Sequence, residues 1–339
     1  MNFGTHRCLE RLADDHGHFS MLAVDQRPPV TALIAESLGV EAAPLPVIHE
    51  VKQLLVESLA PLASAVLVDP VTAFPASDRI SARQGMIMTL EDSVFEARAD
   101  GRLTSLIEDW SVDKIKRIGA DGVKFLAWYR PDAGRAVLEH QHQLVAEVGA
   151  ACRRADIPFI FELLLYPFPG EAPGEAPVGT RRSEMVFESV ETFADPAYCV
   201  DVFKLESPVS ASAIADHEAS EEEALTAFAH LDRAAGRPWV LLSGGAAPEV
   251  FLRLLSLAYA AGASGYLAGR SIWWEALTRY PDLELVQKEL RTGAVPYMER
   301  LNELTTSSAT RWNQPDPIRL PLERPRWNDV PACYPGLFT

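Results

Sequence analysis

The chain has 339 residues, a length that allows one large domain or two ordinary ones, and 48% of them are hydrophobic, enough for a sizeable core. Its formal net charge of −16 disfavours nucleic acid and anionic membranes as partners and obliges any anion site to gather positive charge locally. No apolar run approaches a membrane span and the N-terminal stretch MNFGTHRCLERLADDHGHF has no apolar core of a signal peptide, so a cytoplasmic protein is expected.

Short apolar runs recur along the chain. FSMLAVDQ (19–26) reads as a first strand, with a helical stretch near 46–60 behind it, and SAVLVDP (64–70) as a second. GMIMTLE (85–91) is a weaker third. DGVKFLAWY (121–129) is a strong fourth, preceded by a helix ending at Gly119. IPFIFELLLY (157–166) follows a helix around 134–154, and VDVFKLE (200–206) is the sixth. PWVLLSGG (238–245) follows a helix around 220–235, and SGYLAGR (264–270) follows an amphipathic helix closing on Gly262.

Near-continuous apolar strands alternating with helices imply a parallel sheet covered on both faces, and eight such units imply a (β/α)8 TIM barrel of one domain over residues 1–312. A doubly wound open sheet is the alternative, weakened because no glycine-rich dinucleotide fingerprint follows the first strand. Two segments stand outside the pattern. YPFPGEAPGEAPVGTRR (166–182) reads as a long loop over the barrel mouth. The Pro-rich C-terminal tail, 313–339, carries Trp327, Tyr334, Leu337 and Phe338 and is expected to pack on the barrel or on a neighbouring subunit of a homo-oligomer.

Of 31 basic residues only six are lysine, and two of these, Lys124 and Lys204, lie inside apolar strands. A buried ammonium is costly unless paired. Arginine cannot supply a neutral amine and lysine can, so the pattern points to amine chemistry. The ends of the strands carry the other polar groups: Asp25-Gln26-Arg27, Asp69, Glu91, Glu162, Glu206, Ser243-Gly244-Gly245 and Gly269-Arg270. In such barrels chemistry sits at these ends, and phosphate commonly binds at the loops after strands seven and eight. Asp69, ahead of Pro70, reads as a turn residue. Glu162, between Phe161 and Leu163, needs a cation in either a structural or a catalytic role.

Lysines, carboxylates and a phosphate cradle in one mouth suggest Schiff-base chemistry on a phosphorylated ketose. No metal and no other cofactor is expected: the histidines avoid the strand ends, and those at 16, 18, 140 and 142 read as solvated. Cys8, Cys152, Cys199 and Cys333 fit no metal or redox spacing, and Cys152 and Cys199 read as buried thiols.

LAVDQRPP, LVDP, GADGVKFLAWY, DIPFIFELLLY, FADPAYCVDVFKLESPV, PWVLLSGGAAPEVF and LAGRSIWW together resemble, in this order, the class I tagatose 1,6-bisphosphate aldolase family, a pattern shared with sulfofructose-phosphate aldolases. The resemblance runs from about residue 8 to 310 and implies cleavage of a ketose phosphate to dihydroxyacetone phosphate and an aldehyde. It makes Lys204 the Schiff-base lysine and Glu162 the acid/base, with Lys124 and Asp25 positioning hydroxyls. Gln26 would contact the ketose, and Ser243, Gly244, Gly269 and Arg270 would cradle the phosphate. This chain departs from the family at PPV after Arg27, where the family is more helical, and at WYRPD after strand four. The distal group of the substrate is therefore open between phosphate, sulfonate and carboxylate. Arg181 and Arg182 are its leading candidates, with Arg79, Arg83 and Arg130 behind them. A 6-deoxy-6-sulfofructose-1-phosphate aldolase is the alternative. A non-catalytic sugar-phosphate-binding protein and a keto-acid lyase without the phosphate site are readings of other classes.

Overall fold

In a computed structural model, which describes residues 2–171, 180–216 and 218–314, the eight apolar runs are eight parallel strands. They are β1 (Phe19–Ala23), β2 (Ala65–Val68), β3 (Gly85–Thr89), β4 (Gly122–Trp128), β5 (Phe159–Leu164), β6 (Val202–Leu205), β7 (Trp239–Leu241) and β8 (Gly265–Ala268). Each pairs with the next, and β8 returns to β1 with Phe19 opposite Gly265, closing the barrel. The open-sheet alternative is thereby excluded.

Successive side chains on a strand point to opposite faces. Outward residues such as Leu22, Val66, Met88, Phe125, Phe161, Phe203, Leu241 and Tyr266 pack under the surrounding helices in one large core. Inward residues form a separate one: Met21, Ala23, Leu67, Ile87, Ile160, Val202, Val240 and Leu267, joined by Leu9 and Leu12 of the N-terminal helix Phe3–Leu12 and by Trp312. Two positions further along, the inward residue becomes polar on six strands: Asp25, Asp69, Thr89, Lys124, Glu162 and Lys204, all buried. An apolar plug thus floors a polar layer at the C-terminal mouth.

Several elements differ from expectation. Pro28 and Pro29 do not break a helix but begin one, Pro28–Leu38, where proline's fixed φ and missing N–H cost nothing. Arg181 and Arg182 lie in the first turn of a helix, Thr180–Phe193, rather than in a loop. His18 is buried, not solvated, and His142 is half-buried with Nε2 2.9 Å from Tyr129 Oη. Cys152 is buried, whereas Cys199 is half-buried with a positive φ after a short turn. A short antiparallel hairpin, Glu96–Arg98 with Gly101–Leu103, follows β3 without any strong local signal for it. The tail from 315 onward, residues 172–179 of the long loop and Cys333 lie outside the described residues.

Asp69 is a turn residue, as its neighbour Pro70 suggests: its Oδ1 accepts from the N–H groups of Val71 and Thr72 at 3.0 and 2.6 Å. Its other oxygen accepts from Lys52 Nζ at 2.8 Å, and that ammonium also donates to Thr72 Oγ1 at 2.7 Å. Both charged groups are fully buried. Removing one partner of such a pair strands the other, so Lys52→Met is expected to destabilise the fold by about 3–5 kcal/mol. A shift in urea midpoint relative to wild type checks this, and Lys52→Met combined with Asp69→Asn should recover part of the loss.

Candidate active site

Lys124 and Lys204 project from β4 and β6 toward Glu162 on the strand between them, and neighbouring register opposes Glu162 to Lys204 directly. A single carboxylate oxygen, Glu162 Oε2, lies 2.9 Å from both ammonium groups. Lys124 is the more heavily committed of the two: it also meets Asp25 Oδ2 at 3.0 Å and Glu91 Oε1 at 2.5 Å. Asp25 Oδ2 accepts a further hydrogen bond from Thr89 Oγ1 at 3.2 Å. The four residues singled out for catalysis in the sequence are therefore in one buried cluster.

The electrostatics divide the two lysines. Burial alone would lower the pKa of Lys124, but Asp25, Glu162 and Glu91 hold it well above the usual lysine range, so it stays an ammonium. Burial would raise the carboxyls of Asp25 and Glu162; the charges of Lys124 and Lys204 more than offset this and hold both below the ordinary carboxylate range. Glu91 goes the other way, pushed up by burial despite Lys124 and Arg27. Lys204 is less committed: among the described residues Glu162, 2.9 Å away, is the one carboxylate that pairs with it.

Two members of this cluster, Glu91 and Arg27, are named at the strand ends in the sequence but given no role there. Arg27 is buried and donates to the Glu91 carbonyl at 2.8 Å, and its Nε has no hydrogen-bond partner among the described residues. Both continue the inward register of their strands, Ala23-Asp25-Arg27 and Ile87-Thr89-Glu91, a period-two signal available in the sequence.

The proposed anion cradle lies across the mouth. Gly244 and Gly245 have φ of 59° and 84°, a left-handed turn that side chains rarely tolerate, and a Cβ on Gly245 would lie 3.5 Å from the guanidinium carbon of Arg270. Gly269 is required by close approach: a Cβ there would meet the Ala23 carbonyl oxygen at 2.3 Å and Gln26 Nε2 at 2.9 Å. Gln26 is thus brought beside the cradle, and its buried Oε1 has no hydrogen-bond partner among the described residues. Ser243 opens the turn, half-buried, and Arg270, also half-buried, makes no ion pair or hydrogen bond among the described residues.

The arginines considered for the distal group are largely spoken for. Arg182 pairs with Glu206, which also accepts from Leu165 N at 2.7 Å. Arg181 is exposed and meets Asp132 at 3.0 Å. Arg130 is buried between Asp132 at 2.9 Å and Glu171 at 2.5 Å, and Arg79 meets Glu57 at 3.0 Å. Arg83 lies just ahead of β3, at the end of the barrel away from the mouth. Among the described residues no group of three or more His, Cys, Asp or Glu is arranged to hold a metal ion, and no helix is long and apolar enough to cross a membrane.

A closed parallel barrel with a lysine–carboxylate cluster at its C-terminal mouth defines an enzyme of the aldolase kind. Residues 19–275 match the DeoC/LacD family aldolase, and the chain belongs to that family, hence to the carbon–carbon lyases. It is 30% identical over 315 residues to tagatose 1,6-diphosphate aldolase 2 of Streptococcus agalactiae serotype III (strain NEM316), covering 90% of this chain and 96% of the relative. It is 31% identical over 315 residues to tagatose 1,6-diphosphate aldolase of Staphylococcus aureus (strain MSSA476), with the same coverage of 90% and 96%. Among solved structures, a Schiff-base-forming fructose-1,6-bisphosphate aldolase superposes with a TM-score of 0.57 at 17% identity, over 88% of this chain and 98% of that one. The fructose-bisphosphate aldolase of Plasmodium falciparum gives 0.63 at 13% identity, over 90% and 94%. These two likenesses concern the fold.

Proposed function

We propose that the protein is a metal-independent class I aldolase that cleaves tagatose 1,6-bisphosphate, or a closely related ketose 1-phosphate, to dihydroxyacetone phosphate and an aldehyde. The observation that carries this reading is the shared oxygen of Glu162 between two lysines of unequal commitment. Lys204 passes its proton to Glu162, and the resulting amine attacks the ketose carbonyl. Proton transfer within the adduct gives a neutral carbinolamine, and Glu162, now a carboxylic acid, protonates its hydroxyl, which leaves as water. The iminium so formed draws electrons from the C3–C4 bond while the regenerated Glu162 carboxylate takes the C4 hydroxyl proton. The aldehyde leaves, and the enamine left on Lys204 is reprotonated at C3 and hydrolysed. Lys124 remains charged throughout and, with Asp25, orients the hydroxyls beside it. Gln26 Oε1, buried and without a partner among the described residues, offers an acceptor for a ketose hydroxyl.

Ser243, Gly244, Gly269 and Arg270 hold the phosphate of the dihydroxyacetone half in this reading. An assay of aldol cleavage tests it, with tagatose 1,6-bisphosphate and 6-deoxy-6-sulfofructose 1-phosphate as substrates. Arg270→Ala removes a charge-assisted contact to an anion and is expected to cost about 2–4 kcal/mol in kcat/KM, with KM raised and kcat lowered together. An unchanged kcat/KM for both substrates would show the cradle to be misplaced, and no cleavage of any ketose phosphate by the wild type would remove the proposed activity.

A further inference from the structure

The hairpin after β3 leaves the barrel at Glu91 and returns at Leu106, where the two residues form an antiparallel bridge. It carries Arg102 to the mouth and fixes its backbone from both sides. The Arg102 N–H donates to Tyr166 Oη at 3.1 Å, and its carbonyl accepts from Gln141 Nε2 at 3.0 Å. The guanidinium lies over three rings, 4.2 Å from the centroid of Phe95 and 4.8 Å from those of Trp128 and Tyr166. Such a cage holds a planar cation by its faces and leaves its N–H edge for other partners.

Among the described residues no carboxylate takes that edge and Arg102 makes no ion pair. This sets it apart from Arg130, Arg181 and Arg182, each met by an acidic side chain. In a chain of net charge −16, a half-buried arginine without a carboxylate partner among the described residues is a cation with an unfilled valence.

Its position follows from register. Trp128 and Tyr166 each stand four residues beyond a cluster residue in the same strand direction, 128 − 124 and 166 − 162. Trp128 ends β4 on the inward face of Lys124, about 13 Å further along the strand, and Tyr166 lies beside it just past the end of β5, the two rings 6.4 Å apart. A six-carbon chain joined near one end to Lys204 and carrying an anion at the other is of a size to bridge that gap, with the arginine side chain reaching down.

We propose that Arg102, held by Phe95, Trp128 and Tyr166, is a specificity-determining residue that receives the tetrahedral oxyanion at the far end of the substrate. The inference rests on the ketose-phosphate reading of the site. Phosphate and sulfonate share the required chemistry, three outward oxygens accepting from a guanidinium edge.

The test is a binding comparison by titration calorimetry with reduced probes that cannot form an imine: a hexitol 1,6-bisphosphate, a 6-deoxy-6-sulfohexitol 1-phosphate and a hexitol 1-phosphate. In wild type at least one of the first two binds more tightly than the third. In Arg102→Met, which keeps bulk over the rings, that affinity ratio is expected to fall about tenfold to hundredfold, the range of a hydrogen bond to a charged group. Arg102→Lys, with charge but no planar fork, should restore part of it. Binding of the hexitol 1-phosphate reports whether the mouth is folded. If the ratios for both anionic probes persist in Arg102→Met, or if wild type shows no preference for either, the assignment is overturned. Because the probes lack a carbonyl, the outcome is independent of Schiff-base formation. Failure of Lys204 to trap dihydroxyacetone phosphate would remove the proposed activity and leave the binding result standing.

Discussion

Lys204→Arg is expected to abolish turnover while leaving the barrel folded. The substitution keeps a positive charge beside Glu162 Oε2, which Lys204 Nζ contacts at 2.9 Å, so the carboxylate is not stranded. What it removes is the neutral amine, because a guanidinium stays protonated. Loss of a covalent nucleophile costs on the order of 10⁴–10⁶ in kcat. Lys124→Arg is the informative contrast. Lys124 is held as an ammonium by three carboxylates, so its role needs charge and position, not a free amine. A Lys204→Arg that keeps turnover while Lys124→Arg loses it would indicate that the two lysines have been assigned the wrong way round.

Glu162→Gln is the second large effect expected. The amide matches the carboxylate in shape but neither accepts the Lys204 proton nor returns it to the carbinolamine hydroxyl. Removing a positioned acid/base lowers kcat by about 10²–10⁴. The pH profile makes the claim specific. In the free enzyme the Glu162 carboxyl titrates below its ordinary range because Lys124 and Lys204 favour its charged form against the effect of burial. Its charge, and the stability gained from it, are therefore present above the unfolded glutamate pKa and lost as pH falls through the lowered folded value. Wild-type kcat/KM should accordingly hold its plateau to a lower pH than an ordinary glutamate base would allow. The variant should lose that limb together with its rate. A residual rate in Glu162→Gln with the same acid limb would move the acid/base role to Asp25 or Glu91.

The two lysines and Glu162 are legible in the sequence because they are charged residues inside apolar strands. Lys204 between Phe203 and Leu205, and Glu162 between Phe161 and Leu163, announce themselves because their neighbours dictate burial. The eight strands are legible for the same reason, as runs that only a covered parallel sheet accommodates. Arg27 and Glu91 lie just past their strands, where the run of apolar neighbours has stopped, and only the continued alternation marks them. The prolines after Arg27 mislead because the same residue that ends a helix is well suited to begin one. Arg102 is illegible for a different reason. Its significance is a contact with Trp128 at the end of β4 and Tyr166 just past β5, and its own neighbours, Gly101 and Leu103, carry no trace of it. The pairing of Arg181 with Asp132 and of Arg182 with Glu206 is hidden likewise, since the acidic partners lie well away in sequence.

The central claim is that Lys204 forms an imine with the ketose half of the substrate, and reductive trapping measures this directly. Wild-type protein, treated with EDTA, is incubated with dihydroxyacetone phosphate and borohydride, digested and mapped by mass spectrometry. A single modified peptide is expected, the one containing Lys204, with no modification in Lys204→Arg. Labelling confined to Lys124, or no labelling while the same protein cleaves a ketose phosphate, would contradict the account.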